Sequence, residues 1–109
     1  MFDTLVTLLK AIRGVQFAEY EWKTRPSGNF GTVQLDFEAD DNNGDDRKQH
    51  RAMEGSVDLF TRGKEMMIVA AVESALENVC EGSWYLNSEQ YEHETGLIHR
   101  EFVFEIEAR

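Results

Sequence analysis

The run Ala52–Cys80, AMEGSVDLFTRGKEMMIVAAVESALENVC, changes its apolar period partway along. Met53, Val57 and Leu59 alternate with Glu54, Ser56 and Asp58, and Gly55 falls on the apolar parity. Side chains two apart share one face of a strand, so this half predicts a β-strand buried on one side. After Thr61-Arg62-Gly63 the apolar positions become Ile68, Val72, Ala75, Leu76 and Val79, the spacing of one helix face. A strand, a tight turn and a helix thus follow one another, each with a single apolar face. The economical packing lays that helix across the sheet containing the strand.

Towards the N-terminus, Phe2, Leu5, Val6, Leu9 and Ile12 recur at helical spacing, with Asp3 and Thr4 in capping or first-turn positions. Arg13 and Gly14 close that pattern, predicting a helix over residues 2–13. Ala18, Tyr20 and Trp22 then alternate with Glu19, Glu21 and Lys23, the pattern of a first strand. Arg25-Pro26-Ser27-Gly28-Asn29 breaks it, and Phe30–Glu38 reads as a second strand with Val33, Leu35 and Phe37 inward. Asp40–Arg51 (DDNNGDDRKQHR) is polar throughout and too long for a tight hairpin, so an exposed, mobile loop is expected there.

Towards the C-terminus, Glu81-Gly82-Ser83 ends the central helix and a strand starts at Trp84, running toward Tyr91. His93-Glu94-Thr95-Gly96 supplies a turn. The last strand, Leu97–Glu107, keeps Phe102, Phe104 and Ile106 on one face and Glu101, Glu105 and Glu107 on the other. The order α-β-β-β-α-β-β, with no repeat or linker, predicts one α+β domain over residues 1–109. In it both helices pack on one face of a mostly antiparallel five-stranded sheet. The other face would carry Gln34, Asp36, Glu54, Asp58, Glu101 and Glu105 to water or to a polar partner.

With 21 acidic residues against 11 basic ones, the formal charge is −10. That balance argues against recognising the outside of a nucleic-acid duplex, which needs a basic footprint, and against adhesion to anionic membranes. No apolar run approaches the roughly 20 residues that span a bilayer. Phe2–Ala11 lacks the basic start of a signal segment and reads as a helix. One cysteine, Cys80, excludes an internal disulfide and suits a reducing compartment.

Candidate chemistry is sparse. Asp41, Asn43 and Gly44 fit three positions of a calcium-binding EF-hand loop, but Ala39 and His50 would stand at ligand positions and the flanks are strands. His50, His93 and His99 show no metal-ligand spacing, so no metal and no cofactor is expected. Glu92/Glu94 or Asp36/Asp58 are carboxylate pairs of the kind a hydrolase needs, without a sign of the apolar pocket that would tune them. Met53, Met66 and Met67 suit irregular core filling at the strand–helix junction, with an adaptable contact surface as the alternative. Phe60 and Tyr85 fall on the outward parity of their strands, and outward aromatic residues in a charged protein read either as an interface or as a simple rim of the core.

The pattern resembles the tail terminator (tail completion) proteins of long non-contractile-tailed bacteriophages and their prophage relatives. The element order carries the resemblance, together with Glu54-Gly55-Ser56-Val57-Asp58-Leu59-Phe60-Thr61 and Trp84-Tyr85-Leu86-Asn87-Ser88 through Tyr91-Glu92-His93-Glu94-Thr95-Gly96-Leu97-Ile98-His99. It implies a structural, non-enzymatic subunit of a homo-oligomeric ring, usually a hexamer. Such a ring caps the finished tail tube, meets the major tail tube protein and a head–tail connector protein, and belongs to the virion tail after assembly in the host cytoplasm. On this reading the interaction residues are Asp40, Asp41, Asp45, Asp46, Arg47 and Lys48 of the polar loop, with Phe60 and Tyr85. Two other classes stay open: a host-encoded α+β binding module dimerising through its sheet, and a small carboxylate-dependent hydrolase.

Overall fold

The computed structural model describes residues 1–38 and 51–108. Its elements are α1 (Phe2–Lys10), β1 (Gln16–Glu19), β2 (Phe30–Glu38), β3 (Arg51–Thr61), α2 (Met66–Cys80), β4 (Trp84–Glu92) and β5 (Leu97–Ala108). The five strands form one sheet in the order β1-β2-β3-β5-β4. All neighbours are antiparallel except β1 and β2, which run parallel, so the sheet is mixed. The α+β class and the element order are those the apolar periods predict.

The first strand is the main departure. It ends at Glu19, and Phe17 rather than the Ala18/Tyr20/Trp22 row points into the core. Tyr20 takes a left-handed backbone (φ 70°) and turns the chain out of the sheet. A parallel partner cannot be reached by a hairpin, so residues 20–29 must carry the chain back before β2 begins. On that return Trp22 donates its indole N–H to the Gly31 carbonyl, 3.0 Å away. The apparent alternation of Tyr20 and Trp22 therefore belongs to a crossover lying on β2.

Both helices cover one face of the sheet. Leu5, Val6 and Leu9 of α1 join Ile68, Val72, Leu76 and Val79 of α2 over Val33, Val57, Leu59, Phe102 and Phe104. Helix α1 stops at Lys10, a turn earlier than its apolar spacing suggests, and Gly14 (φ 88°) sends the chain into β1. Helix α2 ends through Glu81 and Gly82, both left-handed (φ 48° and 90°), with the Glu81 N–H closing on the Glu77 carbonyl.

Two glycines let aromatic rings lie flat on this face. Phe17 sits opposite Gly31 across β1–β2, and Phe104 sits opposite Gly55 across β3–β5. A Cβ at Gly31 would come within 2.5 Å of the Phe17 ring, and one at Gly55 within 2.5 Å of the Phe104 ring. Gly55 thus keeps the inward parity read from the sequence, while its missing side chain makes room for a neighbour's ring.

Candidate functional site

On the face turned away from the helices the sequence predicts Gln34, Asp36, Glu54, Asp58, Glu101 and Glu105, with Phe60 and Tyr85 on the same outward parity. Part of it is aromatic. Phe30, Phe60 and His99 occupy one cross-strand row, set by the register Phe30↔Phe60 and Phe60↔His99. Their rings stack, with centroids 4.8 Å apart for Phe30–Phe60 and 4.1 Å for Phe60–His99. The guanidinium of Arg25, brought over by the crossover, lies 5.2 Å from the Phe30 centroid and 5.1 Å from that of Phe60. Leu97 and Trp22 complete this second cluster. Phe60 does face away from the helices, but it is only 8% exposed because the returning chain covers it.

Beyond this row the face is acidic. Asp58 stands opposite Glu101, and Glu54 opposite Glu105. Like charges directly opposite repel, and part of that cost is offset by neutral and cationic neighbours. Asn87 donates to Glu101 at 2.9 Å and Gln34 to Asp36 at 2.8 Å. The imidazole of His99 lies with Nε2 2.8 Å from Asp58 and Nδ1 3.6 Å from Glu92. The hydrogen bond to Asp58 raises the His99 pKa above its ordinary 6.5, against the opposing effect of burial, with the charges of Asp58, Glu92 and Glu101 adding to the rise.

A raised folded-state pKa gives a definite sign. The protonated imidazole contributes stability that is fully present below pH 6.5 and is lost as pH rises through the higher folded value. For a partly exposed pair the contribution is about 0.5–1 kcal/mol. Urea titrations at pH 5.5 and pH 8.5 are expected to show the wild type losing that much on going to the higher pH, relative to His99→Gln. Parallel pH curves for the two proteins would refute the assignment.

Both ring nitrogens of His99 face carboxylates, Nε2 toward Asp58 and Nδ1 toward Glu92. The register Thr32↔Asp58 places Asp36 four residues along β2 from the partner of Asp58, roughly 13 Å away, so that carboxylate pair is not brought together. Glu92 accepts from Thr95 at 3.0 Å, and Glu94 is exposed in the turn. Among the described residues no group of three or more His, Cys, Asp or Glu is gathered as a metal ion requires. The Cys80 thiol is pushed up to about 11, chiefly by burial and then by Glu77, which keeps it protonated at neutral pH.

The margins of the sheet are β1 and β4. Strand β4 carries Tyr85, Leu86 and Tyr91 exposed, with Tyr85 55% accessible. Tyr85 sits opposite Val103 on the acidic face, whereas Leu86 sits opposite Phe102 on the helix-covered face. Met66 and Met67 open α2 and are also exposed, Met67 at 87%, so they do not fill the core; only Met53 packs against it. Asp40, Asp41, Asp45, Asp46, Arg47 and Lys48, the EF-hand match and His50 lie outside the described residues.

One charged group escaped the sequence reading. Arg100 is 3% exposed on the helix-covered side of β5, where its guanidinium donates to Glu89 at 2.8 Å and to the Thr61 hydroxyl at 3.2 Å. Its signal was available: an arginine on the parity of Phe102 and Phe104.

A solved virion chain shares this fold. It comes from the virion of a native gene transfer agent particle, and aligns with a TM-score of 0.57 over 96% of this chain and 91% of its own. The two are 10% identical in sequence, so the likeness concerns the path of the chain. No protein-family model matches the sequence, and no curated protein does. No helix among the described residues is long and apolar enough to cross a membrane.

Proposed function

We propose that this chain is a structural virion protein that closes the end of a phage tail tube as a homo-oligomeric ring, a hexamer, and offers the surface to which the head is joined. The observation that carries the reading is the whole-chain likeness to a virion chain, 96% of this one, which agrees with the resemblance of the β3 and β4–β5 text to tail terminators. The chemistry is consistent with a scaffold role. On the open face His99 is engaged by Asp58 and Glu92, Glu101 accepts from Asn87, and exposed Tyr85 and Tyr91 lie on a sheet margin.

The charge also fits a passage for DNA. An acidic subunit repeated around a channel repels phosphate, so a genome slides through without adhering. The proposed partners are further copies of the chain, the major tail tube protein and a head–tail connector protein, with assembly in the host cytoplasm and a final place in the virion tail. The polar loop read over residues 40–51, whose last residue Arg51 belongs to β3, is the proposed contact with the neighbouring ring.

Light scattering behind size exclusion, with negative-stain images of the protein mixed with tail tubes, tests this. Rings seated on tube ends are the expected result. A chain that stays monomeric at high concentration and never decorates a tube end would overturn the proposal, and a dimer without rings would favour a binding module instead.

A further inference from the structure

We infer that the β4 margin of one subunit docks onto the β1 margin of a second copy of this chain, an interface that rests on the ring reading above. The two margins differ in kind. Strand β4 is nine residues long and carries exposed Tyr85, Leu86 and Tyr91, whereas β1 is four residues long. A long edge strand with apolar side chains on both of its faces templates pairing with another chain unless it is covered.

Charge points to what covers it. Segment 81–96, which holds β4 and its flanks, contains Glu81, Glu89, Glu92 and Glu94 and no lysine or arginine, a formal net of −4 with His93 neutral, of which Glu89 is paired with Arg100. Segment 10–25, which holds β1 and its flanks, contains Lys10, Arg13, Lys23 and Arg25 against Glu19 and Glu21, a net of +2. Arg62 joins the second group, since its guanidinium donates to the Ser27 carbonyl at 2.9 Å at the far end of the crossover. In a chain of net charge −10, this is where an acidic margin finds its complement.

The geometry also sets the kind of assembly. The two margins are opposite ends of one sheet, so the contact is heterologous, and it closes into a ring when the rotation between subunits divides a full turn. Closure covers both edges in every copy. Two copies meeting β4 to β4 would instead bring their glutamates together.

Charge reversal tests the pairing in the full chain. The double variant Glu81→Lys with Glu94→Lys changes exposed groups outside the strand pairing, and is expected to weaken self-association about tenfold or more at low salt. Reversing Arg13→Glu and Lys23→Glu as well is expected to restore it, although those sites lie at the other end of the sheet. Sedimentation velocity at low and high salt gives the readout, with circular dichroism confirming that each variant is folded. Rings that form equally well in the wild type and the β4 variant would overturn this interface while leaving the ring reading intact. No oligomer in the wild type would sink the ring reading and this interface with it. Weakening without rescue would also overturn it, since the β4 glutamates would then face something other than the β1 margin.

Discussion

Gly55→Ala is expected to destabilise the fold by about 3 kcal/mol. A methyl group at this position would meet the Gln34 carbonyl oxygen and come within 2.5 Å of Cζ of Phe104. The carbonyl belongs to the β2 backbone and the ring to the fully packed core, so neither yields cheaply. Relief by pushing the ring aside would open the packing around Phe102 and Leu76. Gly28→Ala provides the control, because nothing lies within 4 Å of a Cβ there. Urea denaturation should show the Gly55 variant with a clearly lower midpoint and the Gly28 variant within about 0.5 kcal/mol of wild type. Equal midpoints for the two variants would mean that the Phe104 ring does not rest on Gly55.

Phe102→Ala should cost about 3–5 kcal/mol, through lost burial and the cavity left behind. Its ring is fully buried, stands opposite Val57 and Leu86, and lies with its centroid 6.3 Å from that of Trp84. In a domain of this size such a loss lowers the melting temperature by on the order of 15 °C or more. Tyr85→Ala, one strand away but 55% exposed, is expected to leave the isolated chain within about 0.5 kcal/mol of wild type. The contrast separates the core beneath the helices, filled by Phe102 of β5, from the open-face side of the β4 margin, where Tyr85 is available to a partner. If Tyr85→Ala cost as much as Phe102→Ala, Tyr85 would be part of the subunit's own packing and not free for a partner.

Much of the architecture was legible because each apolar period has one structural meaning. The alternation through Met53–Leu59, the helical spacing of Ile68–Val79 and the inward Phe102/Phe104/Ile106 row all reappear as buried faces. Gly82 and the His93–Gly96 turn also end their elements where expected. The candidate surface was legible only in part. Tyr85 is exposed as its parity suggested, whereas Phe60, on an equally outward parity, is covered by Phe30, His99 and Arg25. Parity states which side of the sheet a residue takes, and it cannot state whether another segment will lie there.

The sequence by itself determined the inward faces of β3, α2 and the Phe102–Ile106 part of β5, the order of helices and strands, and the acidic character of the chain, because side-chain period and charge are local properties. Only the tertiary structure decided that β1 runs parallel to β2, that residues 20–29 return over the open face, that His99 meets Asp58 from 41 positions away, and that β1 and β4 are left as margins of unlike charge. Those outcomes depend on strand register and on the route of a crossover. Both are fixed by where the whole set of apolar faces can be buried at once, which no single segment encodes.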